Sequence, residues 1–456
     1  MFEAFLRDGG NVVLTGIPDG ADVYALARIL REQRKSGLAL VFVAQDAQHM
    51  QMAADAFSFF APEAGVMQLP AWDCLPYDRV SPNASVVAQR LAVLGQLARG
   101  VEDERPVVLL TTANAALQRL PSREFSKAQS WRALPGNRVD LSKLVDWLEV
   151  NGFLRSSTVR ETGEYAVRGG IIDLFSPGGE EPVRLDFFGD TLESIRAFDP
   201  ETQRTTRQMK AIELVAMSEV VLSEEAVSRF RKGYVSRFGA ADRDDILYQS
   251  ISEGRRYAGM EHWLPLFHDK LETLFDYTGA TPIVLDGAID DVVRERLDQV
   301  GEHYAARVEV MEGGKAAGAV PYKPIEPREL YLGKDEWAQD LADHATARLS
   351  AFAVPPGQGQ QVIEFDGRQG RSFAAERAAG DVNIFDALTD HVGRLTKDEK
   401  RVVIACWSDG SRERLAQVMG DHGLDRVAPI ETEAKARELP NGMTGLAVLG
   451  IEHGFE

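Results

Sequence analysis

NVVLTGIPDGADVYAL, residues 11–26, sets the architecture of the chain. Asn11 to Thr15 is an apolar run without polar alternation, GIPDGAD is turn material, and Ala21 to Glu32 repeats its apolar positions at helical spacing. The unit recurs. Leu38–Ala44 (LALVFVA) precedes the helical QDAQHMQMAADAFSFF, and Val107–Thr111 (VVLLT) precedes TANAALQRL. Continuous apolar strands separated by helices imply a parallel sheet covered on both faces, because only a strand buried on both sides can dispense with alternation. Residues 1–122 are therefore expected to form an α/β domain.

The turn in that first stretch is where an NTPase places its phosphate loop. A working G-x-x-x-x-G-K-[ST] loop cradles phosphate with backbone N–H groups, neutralises it with Lys and holds magnesium with Ser/Thr. Here Gly16 and Gly20 are too close together, Ala21 and Asp22 stand in the Lys and Ser/Thr places, and the first lysine is Lys35. Asp19 and Asp22 would repel a triphosphate. No cofactor is expected, and the loop reads as degenerate.

Other catalytic equipment is equally hard to find. The acidic pairs of DEW (Asp335–Trp337) and DEK (Asp398–Lys400) lie in polar contexts rather than at strand ends. His49, His262, His268, His303, His344, His391, His422 and His453 are scattered, and the spacing of His262 and His268 across a proline does not make a helix-face metal pair. No G-x-S-x-G elbow is present; the SDGS at Ser408 lacks the flanking glycines. The reading shifts from catalysis to binding.

Composition bounds the rest. At about 150 residues per domain, 456 residues suggest three domains. A net charge of −19 disfavours a protein that wraps a polyanion. The two cysteines, Cys74 and Cys406, cannot build a disulfide framework or a thiolate metal site and fit a reducing, cytoplasmic setting. No apolar run is long enough to span a bilayer.

Near Ser122 the pattern changes. After a helix around Leu141–Asn151 come three strand-like segments, EYAVRGGIIDLF, VRLDFF and LESIRAF, which read as a small α+β insert. In VRLDFF the period of two puts Val183, Leu185 and Phe187 on one face and Arg184, Asp186 and Phe188 on the other. An arginine and a phenylalanine sharing an outward face mark an interface; the alternative is that Phe188 packs under the insert's helix and the arginines pair with local acids. Residues 126–212 hold twelve Lys and Arg, nine of them Arg, against thirteen Asp and Glu, so this segment has a net charge of −1 while the remainder carries −18. A near-neutral, arginine-rich module sits inside an acidic chain.

From about Ile212 the chain turns helical, with SEEAVSRFRKGYVSRF, a strand at Thr281–Asp286 and a helix over Asp290–Glu309. RFRKGYVSRF has four basic residues in ten and is weighed as a weak DNA contact against a solvated helix face. VPPGQGQ (Val354–Gln360) reads as a linker, Arg401–Cys406 as a buried strand, and Ser408 or Asp409 as the N-cap of the helix that continues through Arg412–Gly420. The chain stops soon after a last strand in GLAVLGIEHGFE, so the third unit reads as cut short.

Several long motifs resemble a known family. LPAWDCLPYDRVSPNASVVAQRLAVLGQL (Leu69–Leu97) is similar to a segment of UvrB-type proteins, and Glu164–Thr205 resembles the second domain of that group. GMEHWLPLF (Gly259–Phe267), WSDGSRERL and the terminal EHGF resemble one branch, the bacterial transcription-repair coupling factors (Mfd). The resemblance implies the N-terminal part of such a factor: a RecA-like, degenerate P-loop-type α/β domain 1A (1–122), an inserted α+β domain 2 (123–211), domain 1B (212–353), and a smaller α/β domain 3 (354–456). It implies that domain 2 binds UvrA through Arg168, Arg184 and Phe188, recruiting nucleotide excision repair to stalled RNA polymerase. It also implies that RNA polymerase and DNA are engaged only by regions beyond Glu456, where the motor and the domain that covers the UvrA-binding face would lie. The chain is thus expected to be no ATPase; the alternative is a UvrB-like ATP-dependent repair component.

Overall fold

The computed structural model describes residues 2, 5, 10–33, 35–177, 179, 181–242, 244–312, 322–355, 361–379 and 383–456. At its centre is a seven-stranded sheet in the order Gln361–Glu364, Gly10–Thr15, Ala345–Ser350, Ile283–Leu285, Gly37–Ala44, Pro106–Thr112, Gly65–Leu69. Every pairing is parallel. The strand Gly37–Ala44 explains its unbroken apolar run: Leu40, Phe42 and Ala44 join one core with helices Asp22–Gln33 and Ala47–Phe60. Val41 and Val43 join a second core on the other face, with helices Ala84–Arg99 and Ile289–Glu312. The α/β class read from the first stretch is borne out, and this strand order is consistent with a RecA-like fold.

The chain leaves this sheet after Pro106–Thr112 and returns to it at Ile283–Leu285. Between them lies a six-stranded sheet ordered Thr205–Met209, Thr191–Phe198, Val183–Phe188, Ile171–Leu174, Glu164–Arg168, Leu154–Arg155. Two readings need correction here. EYAVRGGIIDLF is not one strand but a hairpin, because Gly169 (φ 63°) and Gly170 supply the tight reversal between Arg168 and Ile171. Ile212–Val215, read as the start of a helical region, is a strand that pairs antiparallel with Ser130–Ala133 and closes the stem of the insert.

Helix Leu141–Val150, N-capped by Asp140, buries Leu144 and Leu148 against Tyr165, Ile172, Leu185 and Ile195, so one face of the insert sheet is core. The last unit is a three-stranded parallel sheet, Val402–Cys406, Thr444–Val448, Val427–Ile430. Ser408 is the N-cap of helix Asp409–Asp421. Ile430, Leu439 and Leu449 pack into the same core as Leu26 and Phe57, so this unit is docked on the first domain. From residue 356 the stretch read as a linker lies outside the described residues. No helix among the described residues is long and apolar enough to cross a membrane.

Candidate functional site

The outward face of the insert sheet is organised in rows, since residues directly opposite in antiparallel strands share a face. One row runs Arg196, Arg184, Asp173, Ala166; the next runs Ser194, Asp186, Ile171, Arg168. Phe188, opposite Thr191, lies beyond the second row. It is 77% exposed, whereas Val183, Leu185 and Phe187 are buried on the core face. Phe188 therefore does not pack under the helix.

The arginines of this face differ. Arg184 grips Asp173 with both arms of its guanidinium, Nε to Oδ1 at 2.7 Å and Nη2 to Oδ2 at 2.9 Å, and lies over the buried ring of Phe198 with its Cζ 4.9 Å from the centroid. The Asp173 hydrogen bonds hold its pKa above the ordinary arginine value. Arg196 is paired in the same way with Asp186, at 2.7 to 2.9 Å, and Ser194 Oγ donates to the same carboxylate at 2.5 Å. Arg168 faces no carboxylate among the described residues. Its Nη2 donates to the Ser157 carbonyl at 2.6 Å and leaves the rest of the guanidinium exposed. Of the three residues singled out by sequence, Arg168 and Phe188 thus point outward, while Arg184 is largely consumed in holding the sheet together.

The second candidate region is the turn Gly16–Asp22, at the carboxyl ends of the central strands, where open parallel sheets bind ligands. Gly16 (φ 70°) and Gly20 (φ 88°) both take left-handed backbone, and Asp22 opens the following helix. His49 reaches in from helix Ala47–Phe60, with Nε2 2.7 Å from Asp22 and Nδ1 2.7 Å from Asp286. Burial opposes a charge on this ring, but the two carboxylates outweigh it and push its pKa up to about 10. Burial likewise opposes ionisation of Asp286, and His49 with the Ala288 and Gln45 amides reverses this, leaving its pKa below the ordinary value. A cavity of about 650 Å³ opens here, lined by Asp19, Asp22, Asp46, Asp286 and Glu452 among others and by no Lys or Arg among the described residues. The arrangement suits an internal imidazolium and opposes a polyphosphate.

Two members of this cluster escaped the sequence reading. Asp286 is a single acid directly after Ile283–Leu285, so the signature of an acidic pair does not find it. His49 looks scattered in the chain because its partners lie 27 and 237 positions away. By contrast, Glu336 pairs with Arg119 at 2.7 Å, and in the second triplet it is Lys400 that pairs, with Glu456. His262 lies buried beside the rings of Trp72 and Tyr77, and His268 against Phe125. In RFRKGYVSRF, Arg229 pairs with Asp269, Arg231 with the Ser252 carbonyl and Arg237 with Glu329, while Phe230 and Tyr234 are core.

A family model described as the UvrB interaction domain matches residues 133–219, which covers the insert sheet, its helix and the second strand of its stem. Similarity to full-length proteins runs much further. The transcription-repair-coupling factor of Myxococcus xanthus is 30% identical over 479 aligned positions, covering 99% of this chain and 38% of that protein. For the factor of Escherichia coli K12 the values are 29% over 451, covering 98% and 37%. For that of Haemophilus influenzae they are 27% over 453, covering 97% and 36%. The chain spans little more than a third of the length of these curated relatives. The resemblance read from the motifs is borne out: along nearly its whole length the chain is similar to transcription-repair-coupling factors, and it contains a UvrB interaction domain.

Proposed function

We propose that this chain docks UvrA through the outward face of its insert and so brings nucleotide excision repair to stalled RNA polymerase in the cytosol, with no ATPase of its own. The similarity to coupling factors supports the coarser role in transcription-coupled DNA repair. The observation that carries the finer reading is Phe188, a large aromatic 77% exposed at the end of a face on which Arg184 and Arg196 are already paired and Arg168 is not. An exposed aromatic beside an available arginine is the composition of an interface hot spot. In the same reading the chain divides at 122, 211 and 353, and RNA polymerase and DNA are contacted by regions of the longer factors outside this length.

The test is a titration of purified UvrA against the chain and its Phe188→Ala variant, without nucleotide. A buried aromatic anchor typically contributes 2 kcal/mol or more, so the variant should bind about 30-fold more weakly. Equal affinities would overturn the docking role. The alternative, a UvrB-like ATP-dependent component, draws on Asp286 standing after a buried strand near a glycine turn. Since His49 already neutralises that acid, a fluorescent-ATP titration should give no saturable binding; saturation in the micromolar range would restore the alternative.

A further inference from the structure

The loop before the insert's helix also reaches its outward face. Arg138 forms an isolated antiparallel bridge with Thr191, and Thr191 pairs with Phe188 across the two-residue turn of the neighbouring hairpin. Backbone bonds fix this addition to the sheet: Val139 N donates to Asp190 O at 2.7 Å, and Leu192 N donates to Asn137 O at 3.0 Å. The alternation is consistent, since Val139 packs against the insert core and Leu192 is fully buried. Arg138 and Thr191 are therefore turned to the same side as Phe188. On the other flank the Arg168–Ile171 hairpin brings its tip against the same strand, with Phe187 N donating to Gly170 O at 2.8 Å. Arg168, Phe188 and Arg138 thus follow one another across the face.

Among the described residues, the two flanking arginines are the ones on this face without a carboxylate. Arg184 and Arg196 are committed to Asp173 and Asp186, while Arg207, opposite Ala197 on the other side of the sheet, is committed to Glu181. Arg138 is exposed and forms no ion pair among the described residues. We infer that Arg138 is a further contact residue for the docked protein, and that this partner presents a carboxylate on each side of an apolar recess that takes Phe188. Planar guanidinium groups suit carboxylate pairing, and rim charges of this kind steer association and set register. A phosphate backbone fits less well: it calls for a continuous basic track, and Asp186 and exposed Asp190 lie between the two arginines.

The inference rests on the docking role proposed above, so its test separates the two. UvrA is titrated at low and moderate salt against the full chain and its Arg138→Ala, Arg138→Gln, Phe188→Ala and Arg207→Ala variants, with melting temperatures measured in parallel. Both Arg138 variants should bind about tenfold more weakly at low salt, with a shallower salt dependence and unchanged melting, while Arg207→Ala binds as the parent does. Parent-like binding by both Arg138 variants, with Phe188→Ala impaired, would overturn the contact role and leave the docking face standing. Parent-like binding by Phe188→Ala as well would overturn both. Weakening at Arg138 with an unaltered salt dependence would overturn the carboxylate partner.

Discussion

The backbone carbonyl of His453 occupies the space that a side chain on Gly20 would need. Gly20 also sits at φ 88°, so two separate constraints call for glycine at this point. The glycine that in a phosphate loop would let backbone approach a nucleotide here lets the terminal unit of the same chain approach the first domain. Gly20→Ala should therefore loosen that docking. A left-handed alanine plus the clash costs about 1–3 kcal/mol, read as a lower melting temperature and faster proteolysis around residues 449–455. Parent-like melting would mean that the His453 segment does not rest on this turn.

His49 makes stability depend on alkaline pH. Its folded-state pKa of about 10 lies above its ordinary value of 6.5, so the stabilisation is fully present below pH 6.5 and is lost as pH rises through 10. Urea denaturation at pH 7 and pH 10 should show the parent losing on the order of a few kcal/mol more than His49→Gln across that interval. Asp286 acts in the opposite direction, since its depressed pKa contributes stability above the ordinary carboxylate range that is lost on acidification. Identical alkaline losses in parent and variant would mean that His49 is not held charged between Asp22 and Asp286.

Substitutions at Arg184 and Phe188 should separate folding from binding. Arg184→Ala strands Asp173, whose side chain is only 1% exposed, and breaking a buried pair from one side costs about 3–5 kcal/mol. Phe188→Ala removes a ring that is mostly in water, so melting should shift by less than about 0.5 kcal/mol equivalent. Calorimetry of the two variants decides this, and it makes Phe188 the cleaner probe of docking.

A second buried pair lies just past the stem of the insert. Arg90 and Glu219 are both fully buried, with Arg90 Nε 2.5 Å from Glu219 Oε1, while Trp72 Nε1 donates to the same oxygen at 3.1 Å and Arg90 Nη1 donates to the Pro70 carbonyl at 2.7 Å. Glu219→Leu alone should cost about 3–5 kcal/mol by leaving a buried guanidinium uncompensated. Arg90→Met with Glu219→Leu should recover most of that loss in the same denaturation assay, because an apolar pair of similar volume carries no desolvation penalty.

Some of this was legible in residue order. The apolar runs at 11–15, 38–44 and 107–111 named the parallel sheet, because a strand covered on both faces has no alternation to interrupt. VRLDFF named its own two faces for the converse reason: one side is core and the other is water. The hairpin at Gly169–Gly170 carried a local signal that a longer strand-like pattern masked. Ile212–Val215 carried none, since its partner strand lies about 80 residues earlier.

What the sequence by itself determined was periodic or local: fold class, the outward set of one strand, an N-cap at Ser408 or Asp409, and a glycine turn without the lysine of a phosphate loop. Which arginine is spent and which is available was decided only by tertiary structure. Arg184, Arg196 and Arg168 look alike in the chain, and Arg138 lies in another segment altogether. Sheet register sets Arg184 opposite Asp173 and Arg196 beside Asp186, while Arg168 and Arg138 flank Phe188 without a carboxylate partner among the described residues. The same holds for Asp22, His49 and Asp286, which come from three elements. Charge pairing depends on separations of a few ångströms, and those are fixed by packing between distant segments rather than by spacing along the chain.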